Sequence, residues 1–359
     1  MKAFNTPGAL DAAGFPPIDG LLVRHLDVAR DVGPLAAFMA DVNVHDNVDW
    51  IPTEASLRND FEHLSGMSPS DDVILAEVNG SLVGAAQVSW RVRTDRVFHA
   101  LELWVRPEFR RQGLGRALLA WAERHVHAGI DAGTMGPQDL PHLVSGWADL
   151  EITGAQALAG RTGYRVSGYG IVMTRPLAEP IADTPLPEGI DVRPVRPEDH
   201  RAIWDADEEA FQDHRDPGAR TEEDFLNWFA EPDINTALWE VAWDGDRVAG
   251  SVMNFVFAEE NERLGVSRGW LEHISVRRPW RKRGLASALI ARSLSRLRAL
   301  GLAEAALGAD AENLSGAVHL YESMGFRRLR TAANYRKPVT LPATEAPGMT
   351  PSQTAIQEA

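Results

Sequence analysis

The chain has 359 residues, 44% of them hydrophobic and 24% charged, an ordinary globular composition at a length that suits two domains better than one. It contains no Cys and carries a formal net charge of −15. Disulfides, thiolate metal sites and a Cys nucleophile are therefore excluded, and nucleic acid is disfavoured as a partner because its phosphates need a basic surface.

No run is apolar enough to cross a bilayer, and residues 1–20 lack the basic start and apolar core of a secretory leader. The expectation is a cytoplasmic protein with no membrane, nucleic-acid or metal partner; its acidity mildly favours a cationic ligand.

Taken in chain order, residues 1–19 read as a flexible lead. A first domain spans 20–178: residues 21–26 open it as a strand, and 73–78 with 82–91 form a hairpin. Residues 169–177 close it. The stretch 176–189 contains Pro176, Pro180, Pro185 and Pro187, with 179–189 as a short, stiff linker. A second domain, 190–339, starts with a strand at 190–195. Helices follow at 199–211 and 222–229, the latter with Thr221 in a capping position and Asp224 as its capping-box partner. Residues 237–243 and 248–257 read as a hairpin about Asp244, Gly245 and Asp246. Then come a strand at 270–276, a helix at 285–300 stopped by Gly301, a strand at 303–308, a helix at 315–324 and closing strands from Phe326. Residues 340–359, rich in Pro, Thr and Ala, read as a disordered tail. This alternation predicts an α/β (α+β) fold, each domain a mixed, mostly antiparallel sheet flanked by helices.

The two domains repeat one another. Positions 105, 110, 113 and 115 (Val105, Arg110, Gly113, Gly115) recur 171 residues on as Val276, Arg281, Gly284 and Ala286. Gly163-Tyr164 recurs as Gly325-Phe326, 162 residues on. In each copy a strand ends at Val, a Pro-containing loop follows, and a helix begins near the Gly. The unpaired amides of such a helix start, reinforced by its dipole, make an anion site. Gly284 lets backbone approach a phosphate, and Arg281 and Arg283 can add charge-assisted bonds to a pyrophosphate. Neither a Gly-Lys-Ser/Thr phosphate loop nor G-x-G-x-x-G after a first strand is present.

The pattern Arg-x-x-Gly-x-Gly/Ala, after a strand-terminal Val and opening a helix, resembles motif A of the GNAT superfamily of acyl-CoA-dependent N-acyltransferases. Two matches in tandem, over residues 20–178 and 190–338, resemble a two-domain member with an architecture like that of mycothiol synthase. The resemblance implies acetyl-CoA as co-substrate, its pyrophosphate on the motif A loop and its pantetheine arm beside the preceding strand. It thereby implicates Ile274, Ser275, Val276, Arg281, Lys282, Arg283, Gly284, Leu285, Ala286 and Ser287. In the first copy it implicates Leu103, Val105, Arg110, Arg111, Gly113, Gly115 and Arg116. Residues 313–326 resemble motif B, which implies that Asn313 contacts the pantetheine arm and that Tyr321 lies near the thioester sulfur. A phenol suits a general acid there, since a thiolate of pKa about 8.5 can take its proton. The first copy has Glu151 and Ala159 at those positions, and alanine donates no proton.

The amine acceptor must lose a proton before attack. Glu272 and His273 are the candidate bases, and strand alternation predicts that they point to opposite faces, so that only one meets the acceptor. Glu272 is the preferred base and His273 the alternative; the first copy has Leu101 and Glu102 there. Asp205, Asp207, Glu208, Glu209, Asp213, His214 and Asp216 occupy the segment that in this fold walls the acceptor. They read either as a site for a cationic amine or as a solvated helix face. Trp204, Phe211, Trp228 and Phe229 read as core. The leading expectation is N-acetylation of a small-molecule primary amine in the second domain, the first being non-catalytic. The alternatives are a non-catalytic acyl-CoA-binding regulator and an enzyme active in both domains.

Overall fold

The structure is a computed structural model that describes residues 10, 14–63, 66–213, 218, 220–312 and 316–340. Its first copy runs β1 (Leu21–His25), α1 (Val28–His45), α2 (Glu54–His63), α3 (Pro69–Asp72), β2 (Val73–Val78), β3 (Ser81–Val92), β4 (Val97–Val105), α4 (Leu114–Asp131), β5 (His142–Asp149), α5 (Thr153–Arg161) and β6 (Arg165–Pro176). The second runs β7 (Asp191–Val192), α6 (His200–Phe211), α7 (Glu222–Ala230), β8 (Glu240–Asp244), β9 (Arg247–Phe255), α8 (Ala258–Leu264), β10 (Arg268–Val276), α9 (Leu285–Ala299), β11 (Glu304–Asp310), α10 (Ala317–Ser323) and β12 (Arg327–Pro338). The α/β class is as expected, and the Thr221–Asp224 capping box forms at α7. The opening strand of the second copy shrinks to two residues. The extra helix α8 has no counterpart in the first copy, where residues 93–96 join β3 to β4 directly.

All twelve strands join one sheet in the order β1-β2-β3-β4-β5-β12-β6-β11-β10-β9-β8-β7. The closing strands are therefore exchanged: β12 lies against β5 of the first copy, and β6 lies against β11 of the second. The two also pair with each other along their length. Side chains follow the exchange. Ala333 and Tyr335 of β12 are buried in the first copy's core, while Ile171, Met173 and Leu177 of β6 and its exit lie in the second's. Fully burying a side chain of this size contributes roughly 1.5–3 kcal/mol, so each half is stabilised by a strand of the other.

The stretch expected to link two independent domains is docked instead. Leu177 is 1% exposed, and Ile181, Leu186 and Ile190 pack on the same core. Within the lead expected to be flexible, Leu10, Phe15 and Ile18 pack on the first core, and the Leu10 amide donates to the Val23 carbonyl at 2.8 Å. The tail beyond residue 340 lies outside the described residues.

Only β4–β5 and β10–β11 run parallel. Their ladders stop early, at Ala100–Ser145 and at Trp270–Ala306. Beyond those points the longer strands continue to Val105 and Val276 without a partner on that side, which leaves a wedge-shaped opening in the sheet in each copy. Polar contacts fix the copies to one another: Asp49 accepts from Arg268 at 2.7 Å and pairs with Arg330, the Asn59 amide donates to Asn227 at 2.6 Å, and Arg263 donates to Asp41 at 2.6 Å.

Candidate active site

In both copies the loop after the long strand contains two left-handed positions, Lys282 (φ 60°) with Gly284 (φ 82°) and Arg111 (φ 64°) with Gly113 (φ 95°). Gly284 precedes α9, and no side chain caps that helix. Nothing lies within 4 Å of where a Cβ on Gly284 would sit. The first amides of a 15-residue helix are thus open and unpartnered by side chains, an arrangement that fits a pyrophosphate. In the first copy, a Cβ on Gly113 would meet Pro16 at 3.6 Å, so the lead of the chain lies over that loop.

The loop arginines are placed differently from expectation. Arg281 donates through Nε to the Val276 carbonyl at 2.8 Å and through Nη1 to Asp213 at 2.5 Å. Arg110 does the same with the Val105 carbonyl at 2.9 Å and Asp46 at 2.7 Å. Each is a strut tying the loop to its strand and to the segment after the preceding long helix. Arg283 donates to the Glu188 carbonyl at 3.1 Å, and Lys282, Arg111 and Arg116 are exposed. Leu285 is 2% exposed and can offer a phosphate only its amide. Ala286, Ser287 and Gly115 are half-buried. Ile274 and Val276 edge one core, Leu103 and Val105 the other, and Ser275 bonds Ser251 side chain to side chain at 3.2 Å. Asn313 lies outside the described residues.

The strands before these loops are not alike. β4 pairs with β3 in unbroken register from Val97 to Val105. β10 carries a β-bulge: Glu272 pairs with Met253 and Ser275 with Ser251, so that two residues face Val252, and His273 adopts φ 43°. The extra residue cancels one alternation and corrects the prediction of opposite faces. Glu272 lies on the same face as Trp270, two residues before it. His273 turns to that face as well, its ring 4.5 Å from Trp228 and 5.4 Å from Phe211, and Trp228 packs in one cluster with Trp270.

Glu272 has no hydrogen-bond partner among the described residues, and burial pushes its carboxyl above the usual range while His273 pulls it down. His273 Nδ1 is 2.9 Å from Asp207, whose other partner is Arg220, also at 2.9 Å. Tyr321 is on the opposite face, in the core cluster that Ile274 and Val276 edge, its ring edge-on to Phe326. Burial pushes its phenol up to about 12. Ala159, its counterpart, packs on the first core.

Among the described residues, the acidic segment does not line the cavity that Glu272 lines. Asp207 is buried on His273 and Arg220, Glu209 pairs with Arg277, and Asp213 pairs with Arg278 and Arg281; His214 and Asp216 lie outside the described residues. Glu272 instead lines a cavity of about 370 Å³ between the copies. Its walls include Asp49, Trp50, Trp147 and Asp149 from the first copy and Glu260 and Trp270 from the second. Glu260 accepts from the Trp270 indole at 2.8 Å, and burial pushes its carboxyl up to about 7.

The family model described as "Acetyltransferase (GNAT) family" matches residues 200–326, and one described as "Acetyltransferase (GNAT) domain" matches 69–165. The mycothiol acetyltransferase of Geodermatophilus obscurus is 32% identical over 321 residues, 88% of this chain and 98% of that protein. That of Salinispora arenicola is 34% identical over 274 residues, 75% of this chain and 82% of that one. This chain belongs to the GNAT family. Among solved structures, a GCN5-related N-acetyltransferase from Sphaerobacter thermophilus superposes with a TM-score of 0.67 at 26% identity, covering 92% of this chain and 98% of its own. A tandem GNAT protein from the clavulanic acid biosynthesis pathway shares the fold, with a TM-score of 0.63 at 16% identity over 90% of this chain and 100% of its own.

The chain is thus a tandem GNAT protein and an acyl-CoA-dependent acetyltransferase with acetyl-CoA as its co-substrate. No helix among the described residues is long and apolar enough to cross a membrane. Several residues that line the candidate site were not placed there from the sequence. Asp49, Trp50, Trp147 and Asp149 sit in the other copy, and only the exchanged sheet brings them to Glu272. Glu260 rides on α8, whose sequence has no apolar repeat. The bulge at His273 left no turn residue as a signal.

Proposed function

We propose that the chain acetylates the primary amine of a small molecule at the second copy, with Glu272 as general base and Tyr321 as general acid, and that it works in the cytoplasm. One observation carries this reading: Glu272 is a half-buried carboxylate with no partner among the described residues, lining the cavity between the copies, with its affinity for a proton raised by desolvation. Such a group can accept a proton near neutral pH, which an ordinary carboxylate does poorly.

Acetyl-CoA supplies the activated acetyl thioester. The Lys282–Ser287 backbone and the exposed Lys282 and Arg283 would hold its pyrophosphate, and Ile274 and Val276 would flank its arm. Glu272 takes the proton of the acceptor's ammonium. Tyr321, on the other side of the sheet opening, keeps its proton at neutral pH and can deliver it to the departing thiolate. The cavity favours a cationic acceptor with a ring or apolar face. Asp49 and Asp149 are matched by Arg268 and Arg330, which leaves Glu260 and Glu272 to face the ammonium, between Trp50, Trp147 and Trp270. The relatives' name makes a mycothiol-type amine the first acceptor to try. Nucleic acid is no partner on this reading, given the net charge of −15.

The first copy reads as non-catalytic: its β4 has no bulge, Ala159 replaces the phenol, and Glu102 is bonded by Gln87 at 3.1 Å. Thiol release from acetyl-CoA across a panel of amines tests the reading. Glu272→Gln and Tyr321→Phe should each lower kcat by about 10²–10⁴; wild-type turnover in both variants would refute it.

A further inference from the structure

The bulge that puts His273 on the face of Glu272 also delivers its ring to a prepared carboxylate. Asp207 has a fully buried side chain (0% exposed), and its Oδ2 meets both Arg220 and His273 Nδ1. An imidazole facing a carboxylate at 2.9 Å donates through that nitrogen, so Nδ1 carries the hydrogen and Nε2 is left as an acceptor. Arg220 matters because it is a second partner for the same oxygen: burial opposes the Asp207 charge, and His273 and then Arg220 hold it as an anion. The ring is clamped by Phe211 and Trp228, and its backbone occupies the left-handed region that a residue with a Cβ enters at a cost. Two buried polar atoms beside it, Asp207 Oδ1 and Trp228 Nε1, have no partner among the described residues. They are a complementary acceptor and donor, as a site for an ordered water requires.

None of this exists in the first copy, where Glu102 stands in the position of His273 on an unbulged strand. A merely structural histidine has no need of a bulge, a buried anion and a shared cation.

We infer that Asp207 is a positioning residue that fixes His273 as the proton outlet of Glu272; this rests on the proposed role of Glu272 as base. One proton leaves the acceptor's ammonium for the Glu272 carboxylate and passes by way of water to His273 Nε2. The imidazolium so formed is matched by Asp207, and the proton leaves to solvent at the ring's exposed edge, the side chain being 21% exposed. Glu272 is returned as the anion. The groups facing the ring are Asp207 on α6, Arg220 before α7, and Glu272 on its own strand, with Phe211 and Trp228 as the apolar contacts.

The test reads the tautomer directly and does not depend on turnover. In protein carrying ¹⁵N-histidine, the signal missing from His273→Gln identifies the ring. In the wild type at mildly alkaline pH it should be the Nδ1–H form, and in Asp207→Asn it should revert toward Nε2–H, the form favoured by a free ring. An Nε2–H ring in the wild type, or a spectrum unmoved by D207N, would overturn the inference. D207N strands the Arg220 charge, so D207N/R220Q is measured beside it and should give the same tautomer change in a folded protein. Turnover adds a second arm. D207N should lower kcat about 10–100-fold with KM for acetyl-CoA unchanged, and D207N/H273Q should be no slower than H273Q. Additive losses in that cycle would show that Asp207 does not act through His273. Glu272→Gln separates the two claims: full activity there removes the base assignment, while the tautomer and the coupling still decide the role of Asp207.

Discussion

β4 and β10 occupy the same place in the two halves, end in the same loop and open the same wedge in the sheet, yet they differ by one residue in register. On β4 the ladder is unbroken, and Glu102 stays bonded to Gln87. On β10 the bulge gathers Glu272 and His273 on one face, one at the cavity and the other on Asp207. The difference teaches that a cofactor loop and a reaction centre are separable. The first is retained in both copies because a helix start at a left-handed Gly is a local structure. The second, as proposed, needs a strand defect, a phenol and walls supplied from elsewhere, and among the described residues the second copy has all three.

The largest effect expected concerns whether the halves are independent at all. Expressed separately, residues 14–178 and 190–340 each lack the strand that completes their core. Both should be unfolded or aggregated by circular dichroism and gel filtration, whereas coexpression should recover folded material; two soluble monomers with cooperative melting would show that the exchange is dispensable. Next in size is the contrast between the two loops. Gly284→Val places a β-branched residue at φ 82° over an open anion site and should raise KM for acetyl-CoA at least tenfold. Gly113→Val should leave turnover within about twofold and lower the melting temperature, because Pro16 covers that loop. Equal losses in the two variants would mean that both copies turn over.

About half of this was legible in the sequence. The loops, their Gly positions and Tyr321 against Ala159 could be read because short local patterns encode them. The hairpins and helices came within a few residues for the same reason. The cavity could not be read that way: Trp50 and Trp147 are far from residue 272 in the chain, and adjacency across an exchanged sheet leaves no periodic trace. The acidic run at 205–213 stayed open between a ligand site and a solvated face because alternating carboxylates look alike either way; Asp207, Glu209 and Asp213 meet the arginines at 220, 277, 278 and 281.

Two smaller effects sharpen the comparison further. Trp50→Ala, a change in the first copy, should raise KM for the acceptor several-fold while leaving KM for acetyl-CoA alone; the reverse pattern would place the acceptor elsewhere. The smallest is a pH effect on stability. Glu102 and Glu260, one from each copy, are both pushed up to about 7 by burial, so the folded state holds protons that the unfolded state has released, and stability falls as pH rises through 7. His99, lowered to about 4 by burial, has the opposite slope, but only below its ordinary value of 6.5. Between pH 6.5 and 8 the melting temperature should therefore drop by a few degrees, and Glu102→Gln and Glu260→Gln should each flatten the slope. A curve that climbs over that interval would contradict the assignment.

The crossed closing strands also dictate an order of birth. When β6 leaves the ribosome, the sheet position beside β5 is still vacant, and its occupant begins at residue 327. At about 5–20 residues per second that wait lasts roughly 10–30 s, during which the first half presents an unfilled edge and a core without Ala333 and Tyr335. Completion of both halves is then a single event, set by the arrival of one strand. The duplicated gene is locked by the same geometry: neither copy can be deleted, transplanted or recombined as a cassette without leaving the other unfinished. Whatever chemistry the first copy does or does not perform, it is the mould in which the second is closed.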